Sequence, residues 1–141
     1  MYVVAVVGSR EFPSKALVQS TVQRLLGSLQ ESGPGRLGIG VVSGGARGPD
    51  TWGTDAARGL EIPVSVIEPE WHLYGAGAGF RRNQRIADCA NRCLAFWDGM
   101  SRGTLDTINR CFLRGIPVEV VRPDGKMFTL KSGQDPHALF T

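Results

Sequence analysis

Tyr2-Val3-Val4-Ala5-Val6-Val7-Gly8-Ser9-Arg10 opens the chain with an unbroken apolar run that ends in a glycine turn carrying a cation. A strand with one face in water alternates polar and apolar residues, whereas a run that is apolar throughout is covered on both faces, as at the centre of a parallel sheet. The same arrangement recurs twice. Residues 39–42 lead into Ser43-Gly44-Gly45-Ala46-Arg47-Gly48-Pro49-Asp50, and residues 94–97 lead into Gly99-Met100-Ser101-Arg102-Gly103-Thr104. In an open parallel sheet such turns lie together beyond the carboxyl ends of the strands, where exposed amide N–H groups and helix amino termini attract anions. The pattern reads as a binder of a phosphate-bearing ligand.

Between these runs the sequence alternates with helical periodicity. Ser14 is placed to cap a helix in which Val18, Val22, Leu25 and Leu29 form one apolar stripe, ended by Gly33-Pro34-Gly35. Pro49 stands where a second helix begins, a position that tolerates its missing N–H, and that helix runs to about Gly59. Residues 62–67 read as the third strand, followed by the aromatic loop Glu70-Trp71-His72-Leu73-Tyr74-Gly75. A third helix starts near Ala78, and residues 104–114 form a fourth. Residues 118–121 are the fifth strand, and the turn Asp124-Gly125 leads to a short edge strand over residues 127–130. The fold class is α/β: a single Rossmann-like domain over residues 1–131, mainly a parallel five-stranded sheet with helices on both faces, followed by a C-terminal tail, residues 132–141.

Composition bounds the function. At 141 residues and 42% hydrophobic, the chain carries enough apolar material for one core without metal or disulfide. A net charge of +3 is too small for a polybasic track, but most of the cations are Arg and many fall in or beside the glycine turns. Arg presents a planar fork that pairs with phosphate at two points, which Lys does not. Cys89, Cys93 and Cys111 include no Cys-x-x-Cys pair and are expected to be reduced, buried packing residues, with no zinc site. No apolar run has the length of a membrane span and no signal peptide is evident, so a cytoplasmic protein is expected.

The motifs above, together with Trp71, Tyr74-Gly75, Ala78-Gly79, Arg82-Asn83 and Ala95-Phe96-Trp97-Asp98-Gly99, resemble the bacterial and phage branch of the SLOG superfamily, which includes the lonely-guy phosphoribohydrolases and DNA-processing proteins. The resemblance runs from about Tyr2 to Val121 and rests on the order and combination of the motifs. It implies a strand order 3-2-1-4-5, a single pocket bordered by the turns after strands one, two and four, a nucleotide or nucleotide-derived ligand, and assembly as a homo-oligomer.

For that pocket the candidate ligand- and phosphate-binding residues are Gly8, Ser9, Arg10, Ser43, Gly44, Gly45, Arg47, Arg82, Asn83, Ser101, Arg102, Gly103 and Thr104. Each has a purely structural alternative, a tight turn for the glycines and a cap or solvated ion pair for the polar residues. The cations Arg81, Arg82 and Arg85 at the positive end of the third helix are unfavourable unless something negative compensates them. Trp71 and Tyr74 are candidates to stack on a base, or else pack the loop onto the sheet. His72 and His137 have no partner spacing. Loss of the Arg102 side chain is expected to weaken binding by about 1–3 kcal/mol.

Cleavage of an N-glycosidic bond builds positive charge on the ribose and requires a carboxylate. The lonely-guy enzymes place that Glu three residues after the Thr of a Gly-Gly-x-Gly-Thr turn, a position held here by Thr107, with Asp106 one residue earlier. One helical position is a rotation of about 100 degrees, so Asp106 is a poor substitute in place. Asp98 and Asp50, near strand ends, are the other candidate carboxylates. The leading expectation is therefore a sensor or binding domain for a nucleotide or nucleotide-derived molecule, with no cofactor and no metal. The alternatives are a nucleoside 5'-monophosphate phosphoribohydrolase-like N-glycosidase and, further off, a single-stranded nucleic-acid binder.

Overall fold

The computed structural model describes residues 1–140. The opening apolar run is central, as its composition requires: β1 (Tyr2–Gly8) pairs in parallel with β2 (Ile39–Ser43) on one side and with β4 (Arg92–Phe96) on the other. β3 (Val64–Val66) adds in parallel to β2, and β5 (Val118–Val121) in parallel to β4. The extra strand β6 (Met127–Thr129) runs antiparallel to β5, completing the order β3-β2-β1-β4-β5-β6. The expected 3-2-1-4-5 arrangement with an additional edge strand is the observed one.

Alternation along β1 divides the core in two. Val4 and Val6 pack with Val18, Val22, Leu26 and Leu29 of α1 (Lys15–Glu31) and with Ala56 and Ala57 of α2 (Pro49–Gly59). Ala5 and Val7 point the other way, toward Ile86 and Ala87 of α4 (Ala78–Cys89) and Ile108 and Cys111 of α5 (Arg102–Leu113). Between β3 and α4 the aromatic loop contains a single helical turn, α3 (Trp71–Tyr74). Ser14 caps α1 as expected, its Oγ accepting the Leu17 N–H at 3.1 Å.

Two expectations are corrected. The third strand is shorter than residues 62–67: the Ile62 N–H turns back to the Ala57 carbonyl at 3.0 Å and Pro63 has no N–H for a ladder. Of the three cysteines, Cys93 and Cys111 are buried in the same core cluster, but Cys89, in the last turn of α4, is exposed. Among the described residues no helix is long and apolar enough to cross a membrane.

The segment read as a tail folds back on the sheet. Residues 136–140 make one tight helical turn in which Leu139 is buried beside the β5 side of the core. The His137 and Phe140 rings meet Trp97 edge-on, each with centroids 5.2 Å apart, and Arg122 donates to the Leu139 carbonyl at 2.6 Å. Truncating a buried leucine removes its transfer free energy and leaves a cavity. Leu139→Ala is expected to cost about 2 kcal/mol, the low end for such a change because the site is peripheral. Urea unfolding reads this directly, and a difference under about 0.5 kcal/mol, the size of an ordinary surface change, would show the segment undocked in solution.

Candidate functional site

The turns after β1, β2 and β4 meet at one rim because the three strands are neighbours that run in the same direction. Buried hydroxyls stitch them together. Ser9 receives the Asp98 N–H on its Oγ at 3.2 Å and reaches Thr104 Oγ1 at 3.4 Å, while its own N–H donates to the Phe96 carbonyl at 2.9 Å. Ser43 donates its hydroxyl to the Val6 carbonyl at 2.5 Å. Neither serine faces the space above the rim. Asp98 shapes the third turn through Oδ1, which accepts the amides of Met100 at 2.8 Å and Ser101 at 2.9 Å.

Above the stitched turns lies a cavity of about 740 Å³. Of the expected binding residues, Gly8, Arg10, Gly44, Arg47, Arg82, Asn83, Ser101, Gly103 and Thr104 line it, with the carboxylates of Asp50 and Asp98. Gly45, Arg102, Trp71 and Tyr74 do not. Trp71 and Tyr74 stand on α3, 57% and 45% exposed, and Tyr74 carries the Arg81 guanidinium over its ring at 4.1 Å. Asp106 is directed between α4 and α5, where it takes hydrogen bonds from Asn83 and Arg110. Glu11, Ala46, Met100 and Thr107 also line the cavity and were not among the candidate binding residues. Glu11 carried a signal, since it directly follows Gly8-Ser9-Arg10.

Asp50 sits at the floor, 5% exposed. Its Oδ1 accepts the Gly8 amide at 3.0 Å and its Oδ2 the Ala46 amide at 3.3 Å, so the protein's own carboxylate bridges the first two glycine turns. Burial pushes its pKa from 3.8 up to about 6, against the opposing pull of the amides and of the nearby Arg82 charge. This is where the reading of the turns as open amide cradles needs revision. The Gly8 and Ala46 amides already have an anion in the Asp50 carboxylate, and the groups left around it in the lining include cations.

The cation with the most built-in orientation is Arg82, partly buried, whose Nη1 donates to the Gly44 carbonyl at 2.8 Å and whose Nε donates to Asn83 Oδ1 at 2.8 Å. Its pKa is lowered by burial, while Asp50 raises it and the neighbouring Arg10 charge lowers it further. Arg10 has no carboxylate partner among the described residues. Arg47 pairs with Glu11 at 2.6 Å, but both side chains are mostly exposed, and an exposed pair is worth only about 0–1 kcal/mol. Arg47 is therefore free to exchange Glu11 for a stronger anion. The other cations flagged in α4 are compensated without a ligand, Arg85 by Glu70 at 3.5 Å and Arg81 by the Tyr74 ring.

Gly8 is required for close approach. A Cβ there would lie 2.5 Å from Pro49 Cβ and 2.7 Å from the Phe96 carbonyl oxygen, and the latter is backbone in the central sheet. Gly8→Ala should cost about 2 kcal/mol, as overpacking at a rigid contact does. A thermal unfolding midpoint matching the parent protein would show that β1 and α2 yield at this point.

No family model matches the chain. The Gene 61 protein of Mycobacterium phage D29 is 35% identical over 88 residues, an alignment covering 57% of this chain and 70% of the phage protein. The chain belongs to the family of that phage protein. Among solved structures, DNA processing protein A (DprA) from Streptococcus pneumoniae superposes with a TM-score of 0.62 at 21% sequence identity. The match covers 85% of this chain and 50% of DprA, so the chain spans half the length of that protein. At that identity the likeness is one of fold, and it supports the Rossmann-like architecture seen in the strand order.

Proposed function

We propose that the rim cavity binds a nucleotide or nucleotide-derived molecule by its phosphate, and that the chain is a small binding or sensing domain of the SLOG type. The observation that carries this reading is the convergence of Arg10 and Arg82 on one cavity, close enough that the Arg10 charge lowers the pKa of Arg82. Two like charges held together in a partly desolvated hollow are unfavourable in the empty protein and favourable once a multivalent anion lies between them. The volume, about 740 Å³, falls within the roughly 300–1,000 Å³ of sites for small organic ligands. Asp50 and Asp98 add acceptors for sugar hydroxyls, so the lining suits a ligand with both an anionic end and a polyhydroxylated body.

Thermal unfolding with nucleoside 5'-monophosphates against the matching unphosphorylated nucleosides tests the reading. A ligand at about a hundred times its Kd stabilises by about 2.7 kcal/mol, which for a domain of this size is a rise of about 5–10 °C. Equal shifts with nucleoside and nucleotide, or no shift with either, would refute phosphate recognition. The same incubations, assayed for free base, separate a binder from an N-glycosidase acting through Asp50 or Asp98, the two candidate carboxylates that line the cavity.

A second reading, single-stranded nucleic-acid binding, is favoured by one observation outside the cavity: exposed Trp71 and Tyr74 beside Arg81 form an aromatic and cationic platform, in a fold that resembles a DNA-processing protein. Such binding should weaken steeply with salt, and a gel shift at low and moderate ionic strength decides it.

A further inference from the structure

The hydrogen-bond geometry of α4 and α5 points to Asp106 as a positioning residue: acting through Asn83, it holds the Arg82 guanidinium in the orientation that an anion in the cavity meets. The inference rests on the proposed anion-binding role of that cavity. Successive residues on a helix point about 100 degrees apart, so the side chains of Arg82 and Asn83 are not natural neighbours. Their 2.8 Å bond from Nε to Oδ1 requires the Arg82 side chain to bend toward α5 and the Asn83 carbonyl to wait for it there.

What makes the Asn83 oxygen face Arg82 lies on the far side of the amide. Asn83 Nδ2 donates to Asp106 Oδ2 at 3.0 Å and to the Gly103 carbonyl at 3.4 Å. Rotating the amide by half a turn would set NH2 against the Arg82 N–H and oxygen against a carboxylate and a carbonyl, so only one orientation is compatible with both neighbours. Asp106 is itself immobilised, because the same Oδ2 accepts Arg110 Nε at 2.8 Å and Arg110 Nη1 donates to Gln84 at 3.0 Å. The string Gln84, Arg110, Asp106, Asn83, Arg82 thus ties α4 to α5 and ends at the cavity. With Nε given to Asn83 and one Nη1 hydrogen to Gly44, Nη2 makes no hydrogen bond among the described residues, which leaves the guanidinium donors for an incoming anion. A side chain fixed before binding loses less freedom on binding.

The test begins on the ligand-free full chain. In ¹⁵N spectra of the arginine side chains, the Arg82 Nε–H signal, identified by its disappearance in Arg82→Lys, should be resolved and slow to exchange with water. In Asp106→Asn it should move to the averaged position of exposed arginines, and Asp106→Glu should restore part of its protection. An Arg82 signal unchanged in Asp106→Asn overturns the inference. Affinity for adenosine 5'-monophosphate and for inorganic phosphate supplies a second arm. Asp106→Asn should weaken binding about tenfold in the parent protein and less than twofold in an Arg82→Ala background, since residues acting as a unit are not additive. Equal losses in both backgrounds overturn the inference. If neither probe binds the parent protein, the functional reading fails, while the Nε–H signal still decides the positioning role.

Discussion

Asp50→Asn is expected to abolish a pH dependence of stability that the parent protein shows between about pH 4 and pH 6. Burial raises the folded-state pKa of Asp50 from 3.8 to about 6, so the folded chain holds this proton more tightly than the unfolded chain. The favourable contribution is therefore complete below about pH 4 and is lost as pH rises through about 6. At 1.36 kcal/mol per pKa unit the full excursion is about 3 kcal/mol. Asparagine cannot ionise and removes the slope. At neutral pH it also removes the cost of a buried charge, but it keeps only one acceptor for two amides, Gly8 and Ala46, and an unpaired buried amide costs about 1–3 kcal/mol. Those two effects nearly cancel, so the informative quantity is the difference in urea-unfolding free energy between parent and variant as a function of pH. Carboxylates with lowered pKa, such as Asp124 and Asp135, act alike in both proteins and drop out of the difference. Parallel curves would show that Asp50 titrates normally and that the cavity floor is wet.

The same titration reaches the ligand. Cations Arg10, Arg47 and Arg82 face carboxylates Glu11, Asp50 and Asp98 across the cavity, a balance that protonation of Asp50 tips by one positive charge. Affinity for an anion whose own charge is constant over this range should accordingly rise as pH falls through about 6. A phosphate monoester is itself protonated at about pH 6, which offsets part of the gain.

Sheet order and the meeting of the three turns were legible because each strand is short, apolar and ended by glycine, and because parallel strands joined by helices leave few arrangements. The end of β3 was not legible, since Ile62 is as apolar as a strand residue and only tertiary pairing shows that its N–H turns back to α2. Of the cavity lining, Arg10, Arg82 and Asn83 were legible as candidates because their polar chemistry and their position after a turn agree. The sequence could not show that Asp50 occupies the amides of the first two turns: a first-turn Asp caps its own helix by default, and its reach to Gly8 depends on β1 and β2 being adjacent. Nor could it separate Arg102 from Arg82, both cations near the start of a helix, one exposed and the other directed into the cavity. That Asp106 lies one position off the expected carboxylate was legible because its register in α5 is visible in the sequence, whereas its partners Asn83 and Arg110 are fixed by helix packing.

Arg82→Ala should weaken nucleotide binding by about 2–3 kcal/mol, a loss of thirtyfold to more than a hundredfold in affinity, because it removes a charge-assisted donor that is already oriented and partly desolvated. The change has a second consequence that identifies its origin. Arg82 is the cation that lowers the pKa of Asp50, so its removal should push that pKa further upward and leave the lining with two cations against three carboxylates at neutral pH. Residual binding in the variant should then recover more steeply on acidification than binding in the parent, since protonating Asp50 removes repulsion that Arg82 no longer offsets. Isothermal titration of a nucleoside monophosphate at pH 5.5 and pH 7.5 measures both effects at once. Arg102→Ala, altered at an exposed side chain outside the lining, is the comparison. A larger loss at position 102 than at position 82 would move the phosphate out of the cavity to the mouth of α5, and an Arg82→Ala affinity within twofold of the parent would remove this guanidinium from the binding site.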